Sequence, residues 1–424
     1  MVAKAQIEEH SYNAGWTTAP ESVGLSAEDL QRISPTIRKF IDEEKIAGAV
    51  TIVARRGRVV HFEACGMRDR EARVPMDTDT IFRIYSMTKP VVAVAAMMLY
   101  EEGSLSLHAP VADFVPELGG LKVAVNPDTE ELKLVDSTRD MSVFDLLRHT
   151  SGLPGSNRYL GRYSGGKFPM EALYMKAGLH RLNECNLQEM VERLGTVPLL
   201  FQPGTQWHYS IAADVLARLI EVVSGLAFDK FLAERIFQPL HMKDTGFYVP
   251  PEKIDRLARM YGPAPGGGLK PIHAAEGGSG YTSETSFITQ PKFLSGGGGL
   301  VSTASDFMRF CLMLTGDGFL EGVRLLKAET VEMMTSNQLP EGLLPINRKP
   351  EGRGFGLGFA VRVTKIDANP SPVGEYEWYG GAGTEFWISP RDALAVIALS
   401  QQLPMQQLGQ SLRPVIYAAI EEGI

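Results

Sequence analysis

The sequence predicts an α/β (α+β) protein in which an antiparallel sheet flanked by helices is built from both chain ends, with an inserted, mostly helical domain. Strand-like runs of alternating β-branched residues occur around residues 48–66 and again within 354–402. Between these two regions, apolar residues recur at helical spacing. The predicted sheet domain therefore comprises residues 1–105 and 290–424, and the predicted helical domain comprises residues 106–289.

Two elements are predicted near the N-terminus. The segment 26–43 has apolar residues at helical spacing and begins with Ser26, a typical helix N-cap residue. β-Branched residues then alternate on both sides of Arg56-Gly57, which predicts a β-hairpin. This hairpin supplies the first strands of the predicted sheet.

The same patterns predict the later elements. Short strands separated by Gly and Pro turns are expected at 354–363, 375–381, 383–390 and 393–402. Helices are expected within 141–152, 186–195, 212–225 and 227–240. Loops that return the chain to the sheet domain are predicted for the glycine-rich segments 261–271, 276–281 and 294–300.

Composition limits the classes of protein and partner. With 44% hydrophobic and 22% charged residues, the chain has the composition of a globular protein. The net charge of −8 and the lack of long basic runs argue against a nucleic-acid partner. Three widely spaced cysteines favour reduced thiols over disulfides or a zinc site. Neither a secretory signal nor a membrane span is recognisable, so a soluble cytoplasmic protein without a membrane partner is expected.

A serine and a lysine, Ser86 and Lys89, lie three residues apart at the start of a predicted helix. Pro90 is tolerated in the first turn of that helix, and Gly103 is a typical C-terminal stop. Residues three apart share one face of a helical turn, so the two side chains are expected to meet. The run 91–99 has no polar face, which predicts a buried helix. Burial disfavours the ammonium form, and Lys89 is therefore a candidate base for the Ser86 proton.

The S-x-x-K pattern is short enough to occur by chance. Ser164 and Lys167 form a second copy, in a polar, glycine-rich stretch that no predicted helix follows. This second copy lacks the structural context that would give the pattern a catalytic meaning. The copy at Ser86 is the candidate, and on its own it is as compatible with chance as with catalysis.

Two further motifs carry candidate functional groups. Tyr209 follows a Pro-Gly turn and precedes a predicted amphipathic helix, so its phenol can face a site and act as a base near a cation. Taken alone, it is equally a half-buried tyrosine with one hydrogen bond. The segment 378–384 interrupts the C-terminal strands with small residues, which permits close backbone approach to a ligand and an N–H donor for an oxyanion. An ordinary hairpin turn is the alternative there.

The order of the motifs resembles that of a known superfamily. The motifs are S-x-x-K at 86–89, H-T-S-G-L at 149–153, P-G-x-x-W-x-Y-S at 203–210, G-x-G-L-G-F at 354–359 and W-x-G at 378–380. Over roughly residues 20–420 the chain resembles the serine β-lactamase and penicillin-binding-protein superfamily. Within it, the sequence is most similar to family VIII carboxylesterases, which are relatives of class C β-lactamases.

The resemblance implies a β-lactamase-like fold and a role for several residues. Ser86 matches the acylated nucleophile, Lys89 the lysine that activates it, and Tyr209 the tyrosine that relays the proton to the leaving alcohol. The backbone N–H groups of Ser86 and Gly381 match the pair that forms the oxyanion hole.

Two positions depart from the β-lactamase pattern. Trp378, Tyr379 and Gly380 stand where β-lactamases carry K-T-G, and the resemblance implies that they contact the substrate. Ile211 stands where lactamases and peptidases place the Asn of Y-x-N. The groups that would grip a β-lactam or peptide carboxylate are thus replaced at both positions, so an uncharged ester is the expected substrate.

No cofactor or metal site is predicted. The eight histidines are scattered without metal-ligand spacing, and neither a nucleophile elbow nor a dinucleotide-binding motif occurs. His149 and His208 are interpreted as structural, because no acidic residue that would orient either ring is evident nearby in the sequence.

The main functional hypothesis is a serine carboxylesterase that hydrolyses short- to medium-chain acyl esters, with weak β-lactam hydrolysis as a side activity. The alternatives within the fold are a β-lactamase or D-Ala peptidase and an acyltransferase, which differs only in its acceptor. A non-enzymatic binding protein is the alternative from another class, and intact Ser86, Lys89 and Tyr209 argue against it. The expected partner is a small-molecule ester.

Overall fold

The structure is a computed structural model that describes residues 16–127, 129, 131–155, 169–272, 287–344, 346, 352–366 and 369–421. The strands are β1 Gly48–Arg55, β2 Arg58–Asp69, β3 Val74–Pro75, β4 Phe82–Arg83, β5 Lys122–Val125, β6 Lys133–Asp136, β7 Tyr261–Pro263, β8 Leu269–Pro271, β9 Val301–Ser302, β10 Phe319–Leu320, β11 Val323–Arg324, β12 Arg353–Phe355, β13 Ala360–Arg362, β14 Tyr376–Gly380, β15 Thr384–Ser389 and β16 Leu394–Ser400. The helices are α1 Ala27–Leu30, α2 Ile33–Asp42, α3 Thr88–Glu101, α4 Val143–Leu147, α5 Pro169–Lys176, α6 Leu187–Leu194, α7 Ala212–Ser224, α8 Phe228–Leu232, α9 Ala304–Thr315, α10 Ala328–Thr335 and α11 Leu408–Ala418.

One eight-stranded sheet joins the two ends of the chain. Its strand order is β12-β13-β14-β15-β16-β1-β2-β3, and neighbouring strands are antiparallel. The predicted hairpin forms β1 and β2, and β1 pairs with the C-terminal strand β16 from Ala49 opposite Ser400 to Arg55 opposite Leu394. The predicted fold class, an antiparallel sheet built from both chain ends, is therefore confirmed.

Helices cover both faces of the sheet. On one face, α2 and α11 pack through a cluster that includes Ile37, Trp387 and Ile416. On the other face, α3 and α9 share a larger core with the helices of the middle region. Residues 88–99 of α3 are all buried, as the lack of a polar face predicted. No helix among the described residues is both long and apolar enough to cross a bilayer.

The predicted helix at 26–43 is divided into two helices. Ser26 caps the first, α1, by accepting a 3.2 Å hydrogen bond from Asp29 N. The chain then turns at Gln31 and Arg32 before α2 begins. Pro35 accounts for the break, because a proline at this position has no N–H to donate to the carbonyl of Gln31, and its ring disfavours a continuous helix there.

One of the three predicted loops contains regular structure. Within 261–271, which was wrongly expected to be a loop throughout, β7 and β8 form a short antiparallel pair on either side of a glycine turn. Tyr261 N also donates to Gln401 O at 3.1 Å, so a tertiary contact with the end of β16 stabilises the extended conformation. The segment 294–300 is a loop as predicted, whereas 276–281 lies outside the described residues.

The middle region is rich in helices, as the apolar spacing predicted. Helices α4, α6, α7 and α8 occur within the four segments where helices were expected, and α5 adds a fifth. Two short strand pairs, β5 with β6 and β7 with β8, also lie in this part of the chain. The domain boundaries after residues 105 and 289 stay a prediction.

Candidate active site

Ser86 lies between the short strand β4, which pairs with β9, and α3. It occupies a 3₁₀ turn, Tyr85–Met87, that leads directly into the helix. The preceding Tyr85 has φ 43°, a left-handed conformation that is unfavourable for a bulky residue and is often found at functional sites. The backbone of Ile84 is held on both sides, because its N–H donates to Leu300 O at 3.1 Å and its carbonyl accepts from Thr384 Oγ1 at 3.2 Å.

The structure brings the three candidate catalytic side chains into direct contact. Tyr209 OH donates to Ser86 Oγ at 2.7 Å, and Lys89 Nζ donates to the same oxygen at 3.3 Å. The Lys89 ammonium also lies 4.5 Å from the centroid of the Tyr209 ring. Only 7% of Lys89 is exposed, so this contact is partly shielded from water. A hydroxyl with two proton-exchanging neighbours has the arrangement that an activated nucleophile requires.

The H-T-S-G-L motif supports the segment that carries Tyr209. His208 N donates to His149 O at 2.9 Å, and Ser210 N donates to His149 Nδ1 at 3.3 Å. The His149 ring lies 5.0 Å from the Tyr209 ring. Burial, together with the nearby positive charge of Lys89, holds the pKa of His149 well below its ordinary value. A neutral imidazole that accepts a backbone hydrogen bond positions Tyr209, and the ring contacts are with aromatic neighbours.

Asp145 anchors this same motif from the start of α4. Its carboxylate accepts hydrogen bonds from Arg139 at 2.6 Å, from Thr150 Oγ1 at 2.8 Å and from Ser142 N at 3.0 Å. Burial alone would raise the pKa of Asp145, but these hydrogen bonds outweigh burial and lower the pKa to about 2. Asp145 is therefore a charged group that stabilises the fold next to the site.

Replacing Asp145 by asparagine is expected to lower the free energy of unfolding by about 2–3 kcal/mol at neutral pH, because a pKa lowered by folding stabilises the ionised native state. This contribution is fully present above about pH 4 and is lost as the pH falls toward 2. Urea unfolding of both proteins at pH 7 and pH 3 measures it. The difference in unfolding free energy between wild type and Asp145→Asn should be smaller at pH 3 than at pH 7. An equal difference at both pH values would refute the assignment of Asp145 as a stabilising charged group.

The end of β14 lies against the segment that precedes Ser86. A Cβ atom on Gly380 would lie only 2.3 Å from Ile84 O, so only glycine permits this approach. The exposed Gly381 follows directly after the strand. The two predicted oxyanion donors, the N–H groups of Ser86 and Gly381, therefore belong to adjoining segments.

Aromatic side chains surround the phenol of Tyr209. The ring of Trp378 lies 5.5 Å from that of Tyr209 and 5.3 Å from that of Phe355. Tyr379 stacks on Trp378 at 5.3 Å with an interplanar angle of 20°. Ile211 is only 2% exposed, so an apolar side chain is buried where the lactamase pattern has an amide. The positions that depart from the β-lactamase motifs thus carry aromatic and aliphatic groups.

Sequence reasoning missed a polar cluster behind Lys89. Lys89 Nζ donates to Gly297 O at 2.5 Å, and Gly297 N donates to Asp214 Oδ1 at 2.9 Å. Ser295 Oγ donates to the same carboxylate oxygen at 2.6 Å. The sequence did contain a signal for this cluster, because Asp214 lies among apolar residues in the first turn of α7 and a buried charge requires polar partners. The second S-x-x-K copy, Ser164 to Lys167, lies outside the described residues.

A serine held between a lysine and a tyrosine, at the start of a buried helix beside such a sheet, defines a serine hydrolase of the β-lactamase-like fold. The chain matches the Beta-lactamase family over residues 33–420 and belongs to that family.

Relatives and solved structures agree with this assignment. An uncharacterized protein of Mycobacterium tuberculosis is 35% identical over 384 residues, which cover 87% of this chain and 89% of the relative. Esterase EstB of Burkholderia gladioli is 30% identical over 426 residues, which cover 94% of this chain and 98% of EstB. The solved structure of EstCE1, a hydrolase with promiscuous acyltransferase activity, matches with a TM-score of 0.75 and 27% identity over 92% of this chain and all of EstCE1. The similarity to EstB fits the family VIII carboxylesterases, and EstB and EstCE1 support ester hydrolysis or acyl transfer.

Proposed function

We propose that the chain is a serine carboxylesterase that hydrolyses short- to medium-chain acyl esters through an acyl-enzyme on Ser86. The observation that carries this proposal is the pair of hydrogen bonds that Ser86 Oγ accepts from Tyr209 OH and Lys89 Nζ. Both neighbours can exchange a proton with the serine, and serine is a weak nucleophile unless a base removes its proton.

Acylation begins with the transfer of the Ser86 proton to the Lys89 and Tyr209 pair as Oγ attacks the ester carbonyl. The carbonyl oxygen becomes an oxyanion, which the backbone N–H groups of Ser86 and Gly381 stabilise. Tyr209 then returns the proton to the alkoxy oxygen, the C–O bond breaks and the alcohol leaves. Ser86 is left bonded to the acyl group as an ester.

Deacylation repeats these steps with water as the nucleophile. The Lys89 and Tyr209 pair removes a proton from the water as it attacks the acyl carbonyl, and the same backbone donors bind the second oxyanion. Collapse of this intermediate returns the proton to Ser86 Oγ and releases the carboxylic acid. The two proton-exchanging groups serve both halves of the reaction.

The walls of the site favour an uncharged substrate. Trp378, which is only 4% exposed, packs against Tyr209 and Tyr379, and Ile211 is buried beside the same segment, so apolar groups occupy the positions where β-lactamases carry a lysine and an amide. Neither position offers a cation or an amide to the carboxylate of a β-lactam or peptide, and an uncharged ester needs no such partner. We therefore place β-lactam hydrolysis as a weak side activity.

Acyl transfer is the second candidate function. The similarity to EstCE1, a hydrolase with promiscuous acyltransferase activity, favours it. The acyl-enzyme is the same in both reactions, and only the nucleophile that attacks it differs. An alcohol bound in place of water would receive the acyl group and leave Ser86 free as before.

Hydrolysis of a p-nitrophenyl ester series from acetyl to dodecanoyl, measured beside nitrocefin turnover, tests the proposed substrate class. The expected result is a kcat/KM maximum at short to medium chains and nitrocefin turnover at least about 100-fold lower, because Trp378 and Ile211 offer the lactam carboxylate neither a cation nor an amide. Rapid nitrocefin turnover with feeble ester cleavage would assign the chain to the lactamase branch instead.

A further inference from the structure

We propose that Asp214 is a positioning residue that fixes the direction of the Lys89 side chain through Gly297 and balances the lysine charge. This inference rests on the proposed function, because it assigns the means by which one of the two proton-exchanging groups is held. It adds a carboxylate to the machinery around Ser86 that none of the sequence motifs includes.

A continuous chain of hydrogen bonds leads from the carboxylate to the nucleophile. Asp214 Oδ1 accepts from Gly297 N at 2.9 Å, and the carbonyl of the same glycine accepts from Lys89 Nζ at 2.5 Å. Lys89 Nζ in turn donates to Ser86 Oγ at 3.3 Å. Ser295 Oγ adds a second hydrogen bond to the carboxylate, at 2.6 Å, and fixes its orientation. Lys89 is thus directed at Ser86 by a loop that the carboxylate itself holds.

The carboxylate and the glycine loop are in close contact. A Cβ atom on Gly297 would lie 2.7 Å from Asp214 Oδ2, closer than a carbon and an oxygen can approach without displacement. Asp214 is 5% exposed and lies in the first turn of α7, five residues after Tyr209. One short stretch therefore places both the phenol that contacts Ser86 and the carboxylate that positions Lys89.

The charge of Asp214 acts on Lys89 inside the protein, where screening by water is weak. Burial raises the pKa of Asp214, while the hydrogen bond from Ser295 and the positive charge of Lys89 oppose that rise. A negative carboxylate favours the ammonium form of its neighbour. Removing that charge should change the pH profile of a reaction that depends on Lys89.

The other titratable groups around Lys89 define the background for a pH experiment. The Tyr209 ring lies 4.5 Å from Lys89 Nζ. Burial, the charge of Lys89 and the neighbouring His208 lower the pKa of His149 well below its ordinary value. The lowered pKa of His149 favours its neutral form, and Asp214 is the acidic group of this set.

The test is the rate at which a fluorophosphonate labels Ser86, measured from pH 5 to pH 9 in wild type and Asp214→Asn. Asparagine keeps an oxygen that can accept from Ser295 and Gly297 but removes the charge. The expected result is that the acidic limb of the profile moves about one unit to lower pH and that the plateau rate falls about tenfold. If Asp214→Asn folds and the acidic limb of its labelling profile stays at the wild-type pH, the proposal is overturned.

A matched control removes a buried carboxylate elsewhere. Asp306 is 6% exposed and hydrogen-bonded to Asp244 N and Thr245 Oγ1, in contacts that do not include Lys89. Asp306→Asn should leave the acidic limb of the labelling profile at the wild-type pH. A limb that moves equally in both variants would mean that loss of any buried carboxylate produces the effect, and this too would overturn the proposal.

Gly297→Ala keeps the Asp214 charge and displaces the glycine-rich loop 294–300. It therefore replaces Asp214→Asn as the test variant if Asp214→Asn does not fold. It is expected to lower kcat for p-nitrophenyl acetate about tenfold while KM stays within about twofold, because orientation and not substrate binding is changed. Unchanged kcat would count against the positioning role. If wild-type Ser86 is labelled but the protein hydrolyses no ester, the esterase proposal is refuted and the labelling profiles still test the role of Asp214. If wild-type Ser86 is not labelled at all, both proposals are refuted.

Discussion

Ester hydrolysis is expected to fall at least about 1,000-fold when Ser86 is replaced by alanine, because Ser86 Oγ is the atom that forms the proposed acyl-enzyme. The substitution removes one oxygen atom and leaves the 3₁₀ turn and α3 intact. The oxyanion donors and the aromatic residues packed around Tyr209 also remain, so substrate binding should change little. Steady-state kinetics with p-nitrophenyl acetate on the purified variant measure the loss.

The chain supplies its own matched control for this experiment. Ser164 begins the second S-x-x-K copy, so Ser164→Ala removes the same atom from the same short motif. That variant should keep wild-type kcat and KM. Activity retained by Ser86→Ala and lost by Ser164→Ala would transfer the nucleophile to the other copy and refute the assignment of the site.

Replacing Lys89 by methionine is expected to lower kcat/KM by about 10²- to 10⁴-fold. Methionine keeps much of the apolar stem that packs in α3, but it cannot exchange a proton with Ser86 Oγ or donate to Gly297 O. The loss should persist at every pH from 6 to 9, since the missing group cannot be restored by titration. Rates across this range, with Lys167→Met as the matched control, measure it.

Tyr209→Phe measures how much Tyr209 contributes to proton transfer with Ser86 in comparison with Lys89. Phenylalanine keeps the ring near Lys89 and Trp378 and removes only the hydroxyl that donates to Ser86 Oγ. A smaller loss than in Lys89→Met would identify Lys89 as the main base, and a larger loss would identify Tyr209. Because the two groups interact, the double variant should lose less than the product of the single losses. Wild-type activity in Lys89→Met would contradict the proposed mechanism.

Features encoded by local sequence were predicted well. Ser86 and Lys89 meet because three-residue spacing on a helical turn fixes their geometry without help from the rest of the chain. The β1–β2 hairpin follows from alternation around Arg56-Gly57. Helix α3 ends at Glu101, two residues before Gly103, whose φ of 76° is the left-handed conformation expected of a C-terminal stop.

Features created by tertiary contacts were only partly predictable. Tyr209 was singled out through the order of motifs, since 123 residues separate it from Ser86 and a lone tyrosine carries little information. Asp214 was missed because its partners, Ser295 and Gly297, lie 81 and 83 residues away in a glycine loop. The strands β7 and β8 were missed for a similar reason, because a contact with Gln401 stabilises an extended conformation that glycine-rich sequence does not favour locally.

The measurement that tests the central claim most directly is to trap the acyl-enzyme. The protein is mixed with p-nitrophenyl acetate, quenched in acid during turnover and digested, and the peptides are analysed by mass spectrometry. The account predicts an acetyl group on the peptide that contains Ser86, at Ser86 itself, and its absence from the Ser86→Ala protein. Steady turnover with that peptide unmodified, or an acetyl group on another residue that turns over at the catalytic rate, would contradict it.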